Sequence, residues 1–298
     1  MSKNLINKYI WLVDTIMRHK SITRSELNDL WVKNKSLSDG NPMPRRTFYN
    51  YCRAIEDTFD ITISCNSSTY EYYIENDGEA DSSLHDWLLD SVSISGTLAD
   101  SRQVSSRIVL ENVPSARTYL PVILDGVKGN RRLRIKYRAF DRSMTTEILL
   151  DPYFVRIFRQ RWYVIGVEHQ YNSIRTYSLD RISDVQLTSE SFQEPDITAE
   201  EYYHYCFGIF KDKGSPHNVK LKVEANQAKY FRALPLHHSQ QEEIHDSYSI
   251  FSYKMLVTVD LMQEILHYGH KIEVLAPKNL RLMVKEELTK ALAAYQED

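Results

Sequence analysis

Pro44-Arg45-Arg46-Thr47-Phe48-Tyr49-Asn50-Tyr51-Cys52-Arg53-Ala54-Ile55-Glu56-Asp57-Thr58-Phe59 decides the reading of the N-terminal fold. Pro44 suits the first turn of a helix, where its missing N–H has no intrahelical partner to lose. Phe48, Cys52, Ile55 and Phe59 then recur at i, i+4, i+7 and i+11, an apolar seam for a core. Arg45, Arg46, Tyr49, Asn50 and Arg53 fall on the other side. Arg and Asn are the side chains that read guanine and adenine edges, and Arg also holds phosphates. These five are the expected DNA contacts.

The flanking text fits that reading. Residues 4–19 predict a helix with Leu5, Tyr9, Leu12, Val13 and Ile16 as its stripe. Thr23-Arg24-Ser25-Glu26 is a capping box that starts a second helix through Leu27, Leu30 and Trp31. Residues 36–43 read as a polar loop, with Lys33 and Lys35 beside it as candidate backbone contacts. Residues 61–65 and 70–74 are β-branched or aromatic, and Asn66-Ser67-Ser68-Thr69 joins them as a hairpin turn. Three helices followed by a hairpin is the winged helix-turn-helix order. A solvated basic face is the competing account of the helix. Salt dependence separates the two, because each phosphate contact adds about 0.9 to the slope of log affinity against log salt.

Charge along the chain is uneven although the net formal charge is only −3. Residues 1–60 carry +3, 61–127 carry −7, 128–181 carry +7 and 182–298 carry −6. Two basic segments in an acidic chain point to two sites for polyanions. In the second, Arg132, Arg134, Lys136 and Arg138 alternate with Leu133, Ile135 and Tyr137, which places four cations on one strand face. Arg156, Arg159, Arg161, Arg175 and Arg181 add charge from neighbouring strands. Tyr137, Tyr163 and Tyr177 offer rings for base stacking. The alternative is an electrostatic seam in which these cations pair with the acidic parts of the chain.

Residues 76–83 read as a linker, and 84–125 as an acidic helical bridge interrupted by Pro114 and Pro121. From residue 132 the period is two, in four runs: 132–140, 146–158, 162–168 and 175–187. A short helix is expected over 196–207. Strands at 219–223, within 242–259 (two) and at 271–275 then alternate with helices at 226–234, 261–268 and 279–295. That order suits a ferredoxin-like unit. The expected division is 1–76 for the DNA-binding domain, 77–125 for the bridge, 126–190 for a sensing domain, and 191–298 for a linker helix with the C-terminal extension.

Three cysteines, Cys52, Cys65 and Cys206, are odd in number and widely spaced, which argues against a disulfide framework and a zinc site. No apolar run is long enough for a membrane span and no signal peptide is evident, so a cytoplasmic protein is expected. Gly126-Val127-Lys128-Gly129 fits neither a P-loop nor a dinucleotide fingerprint. There is no Gly-x-Ser-x-Gly elbow or His-Glu-x-x-His. Glu264, His267 and His270 read as surface residues, His237-His238 as loop, and Cys206 as a buried thiol. Neither catalysis nor a cofactor is expected.

Arg161-Trp162-Tyr163-Val164-Ile165-Gly166 resembles the Trp-Tyr-Leu signature of WYL-domain transcriptional regulators, with Val164 in place of the Leu. Arg175-Thr176-Tyr177-Ser178-Leu179-Asp180-Arg181-Ile182 is similar to the companion motif, with Ser178 where an Arg is common. Lys136-Tyr137-Arg138, Asp151-Pro152-Tyr153 and residues 269–277 match further motifs, so the resemblance spans nearly the whole chain. It implies an α+β multidomain protein: a winged helix-turn-helix, a central Sm-like small β-barrel (the WYL domain) and a ferredoxin-like extension. It further implies a homodimer that binds a double-stranded operator and senses single-stranded nucleic acid or a nucleotide. Arg134, Lys136, Tyr137, Arg138, Arg175, Tyr177 and Arg181 are the expected ligand residues, with pairing of Arg181 to Asp180 or Asp184 as a structural alternative. Asn50 and Tyr51 depart from the family's Arg and Asp, so DNA sequence preference does not transfer. A constitutive DNA-binding adaptor whose WYL module takes a protein partner is the second reading.

Overall fold

The computed structural model describes residues 3–75, 116–140 and 144–296, with isolated positions between the first two ranges. Most of the expected bridge at 77–125 therefore lies outside the described residues. The chain divides into two units, Met1–Glu111 and Asn112–Asp298.

The first unit begins with α1 (Lys3–His19), whose Leu12, Val13 and Ile16 are fully buried. A short strand β1 (Ile22–Thr23) leads into α2 (Arg24–Lys33). The capping box forms as expected: the Glu26 amide donates to the Thr23 hydroxyl at 3.3 Å and the Thr23 amide to the Glu26 carboxylate at 3.0 Å. The loop expected at 36–43 in fact opens with one helical turn, α3 (Lys35–Ser38). Asp39 then reverses the chain with a left-handed φ of 53°. Asn28 accepts from the Met43 amide at 2.7 Å and Arg24 donates to the Met43 carbonyl at 3.1 Å, which fixes the entry to α4 (Arg45–Phe59). Strands β2 (Ile63–Cys65) and β3 (Glu71–Ile74) pair antiparallel, and β1 joins the other edge of β3 in the order β1-β3-β2. That third strand had too few residues to show a period.

The second unit opens with α5 (Leu120–Lys128), whose Ile123 is buried against a five-stranded sheet. The strands are β4 (Arg131–Tyr137), β5 (Thr146–Phe158), β6 (Arg161–Glu168), β7 (Ser173–Ser178) and β8 (Ile182–Ser191), in the order β7-β6-β5-β4-β8. All neighbours are antiparallel. The run expected at 175–187 is two strands, because Leu179-Asp180-Arg181 forms a single 3-10 turn that redirects the chain. β4 shows the alternation that its sequence demands, with Leu133 and Ile135 fully buried and Arg134 and Lys136 exposed. β5 is bent by a register shift between Pro152 and Phe154. Opposite it, Gly166 lies so near the Asp151 carbonyl that any Cβ there would collide with it.

Thr198 and Glu201 make a second capping box at α6 (Ala199–Tyr203). A four-stranded antiparallel sheet follows, β9 (His217–Glu224), β10 (Gln241–Ile244), β11 (Tyr248–Met255) and β12 (Ile272–Ala276), in the order β10-β11-β9-β12. Helices α7 (Ala225–Ala233), α8 (Val259–His267) and α9 (Lys278–Ala294) contribute Phe231, Leu261, Ile265 and Leu280 to one core with Leu221, Val223 and Phe251. The β5–β6 hairpin docks onto this half. The Phe158 and Phe207 rings meet at right angles 5.7 Å apart, and Arg159 pairs with Glu264 on α8. Among the described residues no helix is long and apolar enough to cross a membrane.

Candidate nucleic-acid interface and ligand cleft

Helix α4 separates its two faces as the spacing requires. Phe48 and Ile55 are fully buried, while Arg45, Arg46, Tyr49, Asn50 and Arg53 are all exposed. None of the three arginines has an ion-pair partner among the described residues. The Arg45 guanidinium sits 5.8 Å from the Tyr49 ring centre, and the Tyr49 hydroxyl shares a 3.0 Å hydrogen bond with Tyr72 on β3. Those two contacts tie the start of α4 to the hairpin and leave Arg46, Asn50 and Arg53 as the freer donors.

The expected ligand residues of the five-stranded sheet split into three groups. Tyr137, Arg175 and Tyr177 line one cleft of about 400 Å³, with Gln170, Tyr171 and Glu168. The Tyr137 and Tyr177 rings meet edge to face, 4.9 Å apart, and each residue is more than nine-tenths buried. Arg175 is exposed at the rim, its guanidinium 4.7 Å from the centre of the Tyr171 ring. The Tyr177 hydroxyl donates to the Glu168 carboxylate, and burial together with that bond pushes its acidity well down.

Arg134 and Lys136 are the second group. They sit one residue out of phase with Tyr137, on the opposite face of β4. Arg134 pairs with Glu147 at 3.5 Å, Lys136 with Asp184 at 3.3 Å, and Arg132 with both Asp151 and Glu190. The bare cationic stripe expected here is thus a row of cross-strand ion pairs, because β5 and β8 bring carboxylates within reach of all three cations, directly across from Lys136 and diagonally from Arg134. Arg138 and Arg181 form the third group. Arg138 is exposed and donates its amide to the Arg181 carbonyl at 3.1 Å. Arg181 pairs with neither Asp180 nor Asp184: Asp180 takes Arg161 at 3.2 Å and Asp184 takes Lys136. Its guanidinium lies 3.8 Å from the Phe140 ring centre, and its buried Nε lacks a hydrogen-bond partner among the described residues.

The other cations grouped with the sheet have structural duties. Arg156 is largely buried with its guanidinium 3.8 Å from the Tyr203 ring centre, and burial lowers its pKa. Arg159 and Arg161 are paired as described. Tyr163 packs with Phe154 and Ile165 and is no stacking platform. Ser178, in place of a common Arg, is buried and donates to Asp180, so no positive charge enters there.

The residue that sequence reading missed is Glu168. It is the sole carboxylate between Pro152 and Leu179, in a stretch with four arginines, and that isolation was the available signal. Among the enzyme candidates, Glu264 is occupied by Arg159 and by the Tyr268 hydroxyl at 3.0 Å. Burial raises the Cys206 thiol pKa, which makes it a poor nucleophile. Among the described residues no cluster of His, Cys, Asp and Glu has the makings of a metal site.

A family model described as the WYL domain matches residues 118–187, and one described as the WCX domain matches residues 215–292. Protein PafC of Mycobacterium tuberculosis is 23% identical over 189 residues, 63% of this chain and 58% of that protein. Proteasome accessory factor B/C (PafBC) of Arthrobacter aurescens aligns in structure over 94% of this chain and 45% of its own, at 17% identity and a TM-score of 0.34. A CRISPR Cas-related protein aligns over 86% of this chain and 75% of its own, at 11% identity and a TM-score of 0.41. The match thus spans a little over half the length of the curated relative and under half of PafBC. With its signature on β6, its companion motif across β7 and the turn after it, and the second sheet behind them, the chain is a WYL-domain protein, carrying a WYL domain at residues 118–187 and a WCX domain at residues 215–292.

Proposed function

We propose that the chain is a DNA-binding transcriptional regulator whose WYL domain senses a nucleotide or single-stranded nucleic acid and alters operator binding. The observation that carries this is α4: exposed arginines without carboxylate partners among the described residues, behind a capped helix and in front of a hairpin. In this reading the first unit is a winged helix-turn-helix with α4 in the major groove and β2–β3 as the wing. Arg46, Asn50 and Arg53 reach the duplex, while Arg45 and Tyr49 brace the helix and Arg45 adds charge. A homodimer sets two such helices in successive major grooves of a pseudo-palindromic operator. The five-stranded sheet is the Sm-like barrel of the WYL domain, and its cleft is the ligand site. Strand order β10-β11-β9-β12 with helices on one face supports a ferredoxin-like WCX domain. We infer a protein that works in the cytoplasm and catalyses no reaction.

Footprinting at the protein's own promoter tests the reading. Replacing Arg45, Arg46 and Arg53 by Ala abolishes the footprint, whereas Arg175→Ala with Arg181→Ala spares it and removes the response to short single-stranded oligonucleotides. The ion pairs along β4 favour a second reading, a constitutive adaptor whose WYL module binds a protein. Nucleic acid that copurifies with the chain, seen as a high ratio of absorbance at 260 to 280 nm, decides for the sensor.

A further inference from the structure

The WYL cleft is not a simple anion pocket. Its rim carries the Arg175 guanidinium, but its wall includes the Glu168 carboxylate, and Glu168 is 4% exposed. A buried carboxylate repels a phosphate or sulfate placed against it. It welcomes N–H donors instead, and charge-assisted bonds of that kind are the strong ones. The cleft therefore carries two unlike groups, an exposed cation and a buried acceptor, in a lining that also holds the Tyr137 and Tyr177 rings. Its volume of about 400 Å³ lies within the range of small-ligand sites.

We propose that this cleft reads a guanine base, with Glu168 accepting from its Watson–Crick edge and Arg175 holding the attached phosphate. The inference rests on the reading of the WYL domain as a nucleotide or nucleic-acid sensor and names the base it takes. A carboxylate offers two oxygens side by side and no donor. Guanine answers with two adjacent donors, N1–H and the exocyclic amino group. Adenine and cytosine set one amino group beside a bare ring nitrogen, whose lone pair faces the second carboxylate oxygen. Uracil and thymine flank a single N–H with two carbonyls. The Tyr177 hydroxyl bonds one Glu168 oxygen and so fixes the plane of the carboxylate. The Arg175 guanidinium, already stacked on Tyr171, offers its outer face to a base or sugar and its N–H groups to phosphate.

The test is calorimetric titration of the full chain with the monophosphates of guanosine, inosine, adenosine and cytidine. Guanosine monophosphate binds tightest, by about tenfold or more over adenosine and cytidine, the order of one bidentate base contact. Inosine monophosphate, which keeps N1–H and lacks the amino group, falls between. Glu168→Gln replaces one acceptor by a donor and removes the guanosine preference. Equal affinity for guanosine and adenosine monophosphates on the unaltered protein overturns the proposal, as does a preference that survives Glu168→Gln. Should that variant not fold, the four-nucleotide comparison on the unaltered protein decides alone. If all four bind alike and Arg175→Ala weakens each, base reading fails while nucleotide sensing stands. If none binds, sensing itself fails and the inference falls with it.

Discussion

Arg46 and Arg53 are suited to DNA because no carboxylate among the described residues neutralises them. Each that meets a phosphate releases a condensed counterion. Arg46→Ala and Arg53→Ala are therefore expected to weaken binding and to flatten the slope of log affinity against log salt by about 0.9 apiece. Anisotropy titrations at several salt concentrations measure this, and an unchanged slope removes the residue from the interface. Arg134 and Lys136 have the same chemistry and a different fate, since exposed cross-strand pairs contribute about 0–1 kcal/mol and hold no place in the cleft. His237 shows what burial does to a single ring. It is 7% exposed, it stands 2.9 Å from the His204 carbonyl through Nε2, and its Nδ1 accepts from the Ser239 amide at 3.2 Å. Burial first, and the neighbouring His238 second, push its pKa down to about 4. The folded state keeps this imidazole neutral while the unfolded chain protonates it near the ordinary value. Stability is thus expected to fall as pH drops from about 6.5 toward 4, by about 1–2 kcal/mol at pH 5 from this group. Denaturant melts of the native protein and His237→Gln across that range check it, and the variant should show the smaller dependence.

Elements with a long period are legible in the sequence. β5 was placed at residues 146–158 from alternation alone, and α4 from its i, i+4, i+7 seam. What escaped was short. β1 has two residues and α3 four, and both are held by tertiary partners, β3 for the first and the N-terminal core against which Leu37 packs for the second. The 3-10 turn at Leu179-Asp180-Arg181 hid inside one apparent strand, because neither its composition nor its alternation marks a break. Two elements depend on a close approach that a substitution can test. Gly166→Ala places a methyl group against the Asp151 carbonyl, so β6 must part from β5 at the bulge, with an expected loss of about 1–3 kcal/mol by chemical denaturation. Asp260, near the start of α8, accepts the Ile209 amide at 2.8 Å and the Phe210 amide at 2.9 Å, while Gly208 leaves room for its carboxylate. Asp260→Ala strands both donors and is expected to lower stability by about 2–4 kcal/mol, with Asp260→Asn retaining part of it. Equal stability of both variants to the native chain would deny the anchor.

In the second unit the WYL and WCX domains are joined by more than chain connectivity. Phe158 against Phe207, Arg159 with Glu264, and Arg156 over Tyr203 dock the β5–β6 hairpin onto α6, α8 and the segment between them. The same sheet lines the cleft through β4, β5, β6 and β7, so a guest there bears on β5, the strand whose Arg156 and Phe158 make those contacts. If that guest changes operator affinity by some factor, the operator must change affinity for the guest by the same factor. Titrating guanosine monophosphate into the chain with and without saturating operator DNA measures both sides, and ligand affinity indifferent to DNA would end the coupling. The sequence by itself determined the helices and strands with long periods and the basic face of α4, because periodicity and capping are local properties of a chain. Which cations remain free was decided only by the tertiary structure. A strand's own residues state which face a side chain takes, but not which carboxylate the neighbouring strand sets opposite it. Arg134 and Lys136 met Glu147 and Asp184 that way, Arg175 did not, and Glu168 came to lie beside it through the pairing of β6 with β7.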